Sequence, residues 1–325
     1  MKNNKINSGF SSLEVLITLI VLSVLLIAFS YFLSFQKLKI TKYKKQVEAK
    51  KQIELCFSEF IEEFKEKLNP DFDGPNDEIY KYEPNPKFKC KLRIRPLSGL
   101  VELNYLPIEF YSKPYFVSLI NENADPSFIT EYRNMNKLIT SYNDVAEYFS
   151  KEAFENISLY SIVNINTAEE HSFETLCSVH NCMPDFSSKR YSLSFNKQYM
   201  KTETEASLFF GLDYDKLKPF ITVEAPININ FANPDFINSL LSLKRFELLN
   251  YDQKCSSLFN ECKLKSVNKE TICNILGISI NDELYYYIGC KTYFWEVLIT
   301  LNNTSCKYVL FRNENNVYLL KRQWL

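Results

Sequence analysis

Between Phe10 and Phe35 the chain carries one charge, Glu14, and from Val15 to Phe35 it carries none over 21 residues. At about 1.5 Å per residue, such a run makes a helix long enough to cross the ~30 Å hydrocarbon core of a bilayer. A Lys-rich stretch follows, and apolar residues then return at helical spacing: Ile53, Phe57, Phe60, Ile61, Phe64 and Leu68, with Glu and Lys opposite. Asn69-Pro70 and Asp73-Gly74-Pro75 end the pattern. One helix is predicted over 11–68, its first half apolar all round and its second half amphipathic, a stem against a folded head.

The rest of the chain reads as α+β. Residues 70–86 are rich in Asp, Asn and Pro and read as a loop, and 88–95 (FKCKLRIR) alternates charged and apolar residues as a strand with one wet face. Residues 99–110 continue in strand-like fashion, and 127–160 look helical, with Phe128, Tyr132, Met135, Leu138 and Ile139 on one face. Three strands close the chain, 295–301, 306–312 and 315–324, joined by Asn-rich turns as an antiparallel meander. An internal echo links VNINTA (163–168) to ININFA (227–232), each followed by a possible helix. A true repeat and a chance match between two helix caps account for it equally well.

Composition narrows the classes. The 325 residues suit one large or two ordinary domains beyond the anchor. A net charge of −1 gives no global basic field for nucleic acid, and only 6 glycines with no GxGxxG or GxxxxGK[ST] nearly exclude a phosphate-cradling loop. The 26 Phe and 21 Tyr suit a sizeable core with tyrosines at its margins. Nine cysteines fit an oxidising compartment better than a reduced cytosol. Cys177 with Cys182 and Cys255 with Cys262 are the preferred local disulfide candidates, and the odd count leaves at least one thiol free or paired between chains.

The junction Gly9-Phe10 lies before the apolar run, whereas an ordinary signal sequence is cut after it. Cleavage there would leave the apolar helix at a new N-terminus, and Glu14 near its mouth needs a partner within the membrane. Gly9, Phe10, Leu13 and Glu14 followed by the apolar stretch resemble the type IV prepilin class. The resemblance implies that a prepilin peptidase cuts after Gly9 and methylates Phe10. Glu14 then becomes the fifth mature residue, facing the N-terminal ammonium of a neighbouring subunit. The alternative is a plain signal anchor with a chance glutamate. Orientation is contested: Lys37, Lys39, Lys42, Lys44 and Lys45 outnumber the cations before the span, which by charge alone would keep the head inside. Prepilin processing and the cysteines favour the opposite, N-terminus cytoplasmic and head periplasmic.

A second resemblance involves residues 205–243. Glu205, Leu208, Gly211, Leu217, Pro219, Ile221, Thr222, Ile227, Asn228, Asn230, Ala232 and Leu240 are similar to the C-terminal domain of the K-type minor pseudopilin of type II secretion. The motif itself is Ile227, Asn228, Asn230 and Ala232, and the closing strands also resemble that family, as GLVELN (99–104) does more faintly. Phe231 stands where the family usually has Thr, and K-type subunits commonly lack the glutamate that Glu14 supplies. The resemblance implies a leader over 1–9, a transmembrane and stem helix over 10–68, and a pilin-like periplasmic head with a helical insertion over 69–204. The family C-terminal domain then covers 205–325. It implies no enzymatic activity and a role initiating or capping a pseudopilus in the bacterial inner membrane. The expected partners are prepilin peptidase and other minor and major pseudopilins. A minor pilin of a type IV pilus is the alternative within the class, and a signal-anchored periplasmic enzyme or binding protein lies outside it.

Metal and catalytic readings are weaker. His171, Cys177, His180 and Cys182 are zinc ligand types, but their spacing is not that of paired zinc ligands. Asp71, Asp73, Asn76, Asp77 and Glu78 form an acidic loop, and calcium takes about six to eight oxygens. Gly74 comes too early for an EF-hand, and a solvated turn is the competing reading. K-type relatives can bind calcium, yet no ligand position transfers, so no cofactor is expected beyond that loop. With 2 histidines, no G-x-S-x-G and no H-E-x-x-H, nucleophilic catalysis has little material. Lys37 to Lys51 read as a juxtamembrane basic stretch touching head groups, with no nucleic-acid partner expected.

Overall fold

The computed structural model describes residues 6–135, 138–180, 198–313 and 316–325. Helix α1 spans Ile6–Lys67, 62 residues without a break. No proline interrupts it before Pro70, and its end is marked by Leu68 N–H on Phe64 O at 3.1 Å. The Asn69 side chain then accepts from Asp71 N–H at 2.9 Å and turns the chain away. After two 3-10 turns comes strand β1 (Lys91–Pro96). It starts three residues later than the alternation predicted, because Phe88 closes the second of those turns.

Three units follow, each opening and closing with a two-residue strand. The first holds β2 (Val101–Glu102), α2 (Pro114–Leu119), α3 (Phe128–Asn134) and β3 (Ile157–Ser158). The second holds β4 (Val163–Asn164), α4 (Glu170–His180), α5 (Glu203–Phe210), α6 (Leu212–Leu217) and β5 (Ile221–Thr222). The third holds β6 (Ile227–Asn228), α7 (Pro234–Leu241), α8 (Tyr251–Leu264), α9 (Lys269–Leu276) and β7 (Ile288–Gly289). Within each unit the two strands pair in parallel: Glu102 with Ser158, Asn164 with Thr222, Asn228 with Gly289. A Cβ on Gly289 would lie 2.7 Å from the Ala225 carbonyl oxygen, so this approach requires glycine.

One asparagine closes each unit in the same way. The Asn104 amide accepts from Ile139 N–H (2.8 Å) and donates to Ile139 O (3.2 Å). Asn166 does the same with Met200 (2.7 and 3.0 Å), and Asn230 with Val267 (2.8 and 3.0 Å). The sequence separations are 35, 34 and 37 residues. A side-chain amide thus stands in for a peptide group, holding both backbone atoms of one distant residue. Just beyond each clamped residue a cap opens the next turn: Ser141, Thr202 and Asn268 accept from Asn143, Glu205 and Thr271 N–H. The echo between 163–168 and 227–232 is therefore a structural repeat, and 101–106 is its third copy.

Two sequence expectations are corrected. Residues 99–110 are not one strand. Only Val101–Glu102 pairs, and the Glu102 carboxylate then accepts from the N–H groups of Asn104 and Tyr105, turning the chain into a 3-10 segment. Residues 127–160 are not one helix. It ends at Asn134, Met135 is exposed, and Ile139 is drawn out to Asn104. Ser141 N–H on Asp144 (3.0 Å) then starts a separate 3-10 turn.

The chain finishes with β8 (Phe294–Leu301), β9 (Thr304–Asn313) and β10 (Asn316–Trp324), the meander expected from the sequence. Asn302 takes the left-handed backbone (φ 53°) that the β8–β9 turn needs. The antiparallel sheet runs β1-β8-β9-β10, so the chain leaves it after Pro96 and rejoins as the neighbouring strand at Phe294. The fold is α+β: a long apolar N-terminal helix and a C-terminal antiparallel sheet. The first and third units share one core, where the Phe110 and Phe236 rings meet edge-on at 5.3 Å. The second unit packs its own core around Phe173, Tyr214 and Leu217 and is tied on by Arg133 to Glu169 at 2.6 Å.

Candidate functional site

Helix α1 presents two different surfaces. From Leu13 to Val47 its large apolar residues are exposed. The segment is long and apolar enough to cross a membrane, and none of it is covered by the rest of the chain. Its hydroxyls suit that environment, since Thr18 donates to Glu14 O (2.8 Å) and Ser23 to Leu19 O (2.7 Å). Neither adds an unsatisfied polar group to the helix surface. The Glu14 carboxylate is exposed and meets no ion-pair partner among the described residues. Gly9 and Phe10 lie one turn earlier on the same helix. Past the apolar run, Lys39 folds its ammonium 4.6 Å over the Phe35 ring, a geometry suited to a head-group boundary.

From Ala49 onward the same helix becomes core. Ala49, Ile53, Cys56, Phe57, Phe60 and Phe64 recur every three or four residues and are buried against the sheet. Phe57 stacks on Tyr308 at 3.8 Å, and Phe64 meets Trp295 edge-on at 5.1 Å. Each such ring removed from water contributes about 1.5–3 kcal/mol, enough to make stem and head one cooperative body.

The joint between stem and head is a buried polar cluster around Asp73. Its carboxylate accepts from Thr292 N–H (2.6 Å) and Tyr80 Oη (2.6 Å), with the Arg312 guanidinium at 3.9 Å. Trp295 Nε1 donates to Tyr80 Oη at 2.8 Å, and Arg312 donates to Asn69 O at 3.0 Å, capping the exit from α1. The Asp73 carbonyl accepts from both Asn228 and Asn230 of the third unit. Burial is the largest influence on this carboxyl and holds it above the usual aspartate range, against the pull of Arg312, Thr292 and Tyr80. Sequence reasoning missed this joint, because its members are spread from Asn69 to Arg312.

The proposed calcium loop is not assembled as a ligand set. Asp73 is buried in the joint, Asp77 accepts from Gly74 N–H (2.8 Å) and Ser266 Oγ (3.4 Å), and Glu78 pairs with Lys67 (3.3 Å). Asp71 and Asn76 are both exposed. Among the described residues, no three His, Cys, Asp or Glu side chains converge as a metal site. Cys182 and the side chains of His171 and His180 lie outside the described residues, and Cys177 sits half-buried on α4.

The Cys255–Cys262 pairing is corrected. Both thiols are free on α8, seven residues apart (262 − 255), which is about 10 Å along a helix and beyond disulfide reach. Of the four residues that resemble the pseudopilin motif, Ile227 and Ala232 are core, while Asn228 and Asn230 are the turn and clamp of the third unit. No protein-family model matches the chain, and no curated protein matches it.

Proposed function

We propose that this chain is a minor pseudopilin, a non-enzymatic subunit that helps initiate or cap the pseudopilus of a type II secretion system. One observation carries the reading: a single unbroken helix is uncharged from Val15 to Phe35, uncovered as far as Val47, then buried in the head from Ala49 on. A soluble protein with that surface would aggregate, so membrane and neighbouring stems are its natural cover. In this reading a prepilin peptidase removes residues 1–9, and Phe10 becomes the methylated N-terminus. Glu14 pairs with the ammonium of a neighbouring subunit, and the head, with its helical insertion, faces the periplasm. Other minor and major pseudopilins are the partners. Glu14 also favours a second reading, a minor pilin of a type IV pilus, because a pairing glutamate suits a subunit packed within a shaft.

The test is processing. Gly9→Ala is expected to keep the leader on, visible as reduced gel mobility, while Glu14→Ala is cleaved normally but recovers fewer partner subunits on cross-linking. A wild-type chain that keeps its leader in cells with an active prepilin peptidase would refute the reading. A phosphatase fused after Lys45 is expected to be active if the head is periplasmic.

A further inference from the structure

We infer that Cys56 of the stem and Cys90 of the head form an oxidation site, a disulfide that fastens α1 to the edge of the sheet. Three contacts lay the segment before β1 along the buried face of α1. The Tyr82 ring meets Phe60 at 5.2 Å, Asn85 Nδ2 and Lys87 Nζ reach the Glu59 carboxylate at 3.5 and 3.6 Å, and Cys90 then joins the same core as Cys56. Lys89 takes a left-handed backbone (φ 56°) immediately before it. The two thiols are side-chain neighbours in one core, each perturbing the other, and Cys90 Sγ donates to Phe88 O at 3.4 Å. Both belong to the core between helix and sheet, Cys56 fully buried and Cys90 half-exposed.

The chemistry is thiol–disulfide exchange with a low-molecular-weight or protein disulfide. The Cys90 thiolate attacks one sulfur of the oxidant and expels a thiolate, leaving a mixed disulfide. Cys56 then attacks Cys90 Sγ and expels the second thiolate. The two cysteine protons end on the two released thiols, so one disulfide is reduced and one formed. Burial raises both thiols and pushes Cys56 up to about 12, which makes the more exposed Cys90 the group that begins. In a filament subunit the stem carries the load, and a covalent tie at Cys56 would pass it to the sheet directly. Formation in the cell rests on the periplasmic reading given above, whereas formation in vitro does not.

The purified full-length chain in detergent is incubated with oxidised glutathione, digested without reductant and mapped by mass spectrometry. The expected product is a linked peptide pair containing Cys56 and Cys90. Adding reductant should lower the wild-type melting temperature by on the order of 5–10 °C, given a closed loop of 34 residues (90 − 56), and leave Cys90→Ser unmoved. If Cys56 and Cys90 are both alkylated after oxidation, or link only to other cysteines, the inference is overturned. A bond that forms in vitro, but with both thiols trapped as reduced in intact cells, supports the pair and overturns the periplasmic head instead.

Discussion

The first and third units of the head share a design and differ in one charge. Both open a parallel two-residue pair, clamp a residue about 35 positions ahead with an asparagine, and cap the next turn. Two residues before the clamp, the first unit has Glu102 and the third has Asn228. Each accepts from the clamp's own N–H, Glu102 at 2.9 Å and Asn228 at 3.0 Å. Only Asn228 also donates, to Asp73 O (3.1 Å) and Thr292 Oγ1 (2.9 Å). The turn itself therefore requires an acceptor and nothing more. The donor is an addition that ties the third unit to the stem joint, and Asn164 makes the matching ties to Glu224 O and Tyr286 O.

If the clamp is what the units have in common, its removal should be the most damaging change. Asn230→Ala leaves the buried N–H and C=O of Val267 without partners and removes a bond to Asp73 O. Stability is expected to fall by on the order of 3–5 kcal/mol, read from the urea midpoint. Asn104→Ala should cost less, about 2 kcal/mol, because Asn104 clamps Ile139 but shows no tie to the stem. Equal costs at the two positions would mean that the joint at Asp73 contributes nothing through Asn230.

The charge difference makes the first unit the pH-sensitive one. Desolvation by full burial pushes the Glu102 carboxyl up to about 7 from 4.5, against the N–H groups of Asn104 and Tyr105 and the nearby Arg133. A raised carboxyl binds its proton more tightly in the folded chain, so its contribution is fully present below pH 4.5 and is lost as pH rises to about 7. The loss is about 3–4 kcal/mol, the 2.5-unit difference (7 − 4.5) at ~1.4 kcal/mol per unit. Glu102→Gln keeps one of the two acceptor oxygens, for Asn104 N–H or Tyr105 N–H, and removes the ionisation. Its stability-versus-pH curve should lack this fall, so the two curves separate between pH 4.5 and 7 and run parallel above. Curves that stay parallel throughout would show that Glu102 ionises as it does in the unfolded chain.

Periodicity made α1 and the closing meander legible, because each element there satisfies its own pattern: apolar all round, then amphipathic, then alternating. The repeat was half legible. Asn164-Ile165-Asn166 and Asn228-Ile229-Asn230 announce each other, but Glu102-Leu103-Asn104 hides the third copy, since the position needs an acceptor rather than an asparagine. The helix expected over 127–160 had the right spacing at Phe128, Tyr132 and Ile139, yet Asn104 captures Ile139 from 35 residues away. Local spacing cannot report such a competitor. Asp73 failed for the opposite reason. Its acidic neighbours suggested solvent and cations, whereas Tyr80, Thr292 and Arg312, distant in sequence, close over it. At Cys255 and Cys262, short separation suggested a bond that a helix forbids.

The smallest difference between the units lies just past the clamp. In the third, Asn268 caps α9, an α-helix whose Ile272 and Leu276 are buried. In the first, Ser141 caps only a 3-10 turn over Tyr142–Val145, with Val145 as its one buried residue. A cap satisfies donors that the first turn leaves open, and its value grows with the length and burial of what it starts. Asn268→Ala is therefore expected to cost about 1 kcal/mol and Ser141→Ala about half that, each measured as a shift in urea midpoint at constant slope. A larger loss at Ser141 would mean that the 3-10 turn is what holds Ile139 in the Asn104 clamp. The first unit would then be organised from its cap backwards, unlike the third.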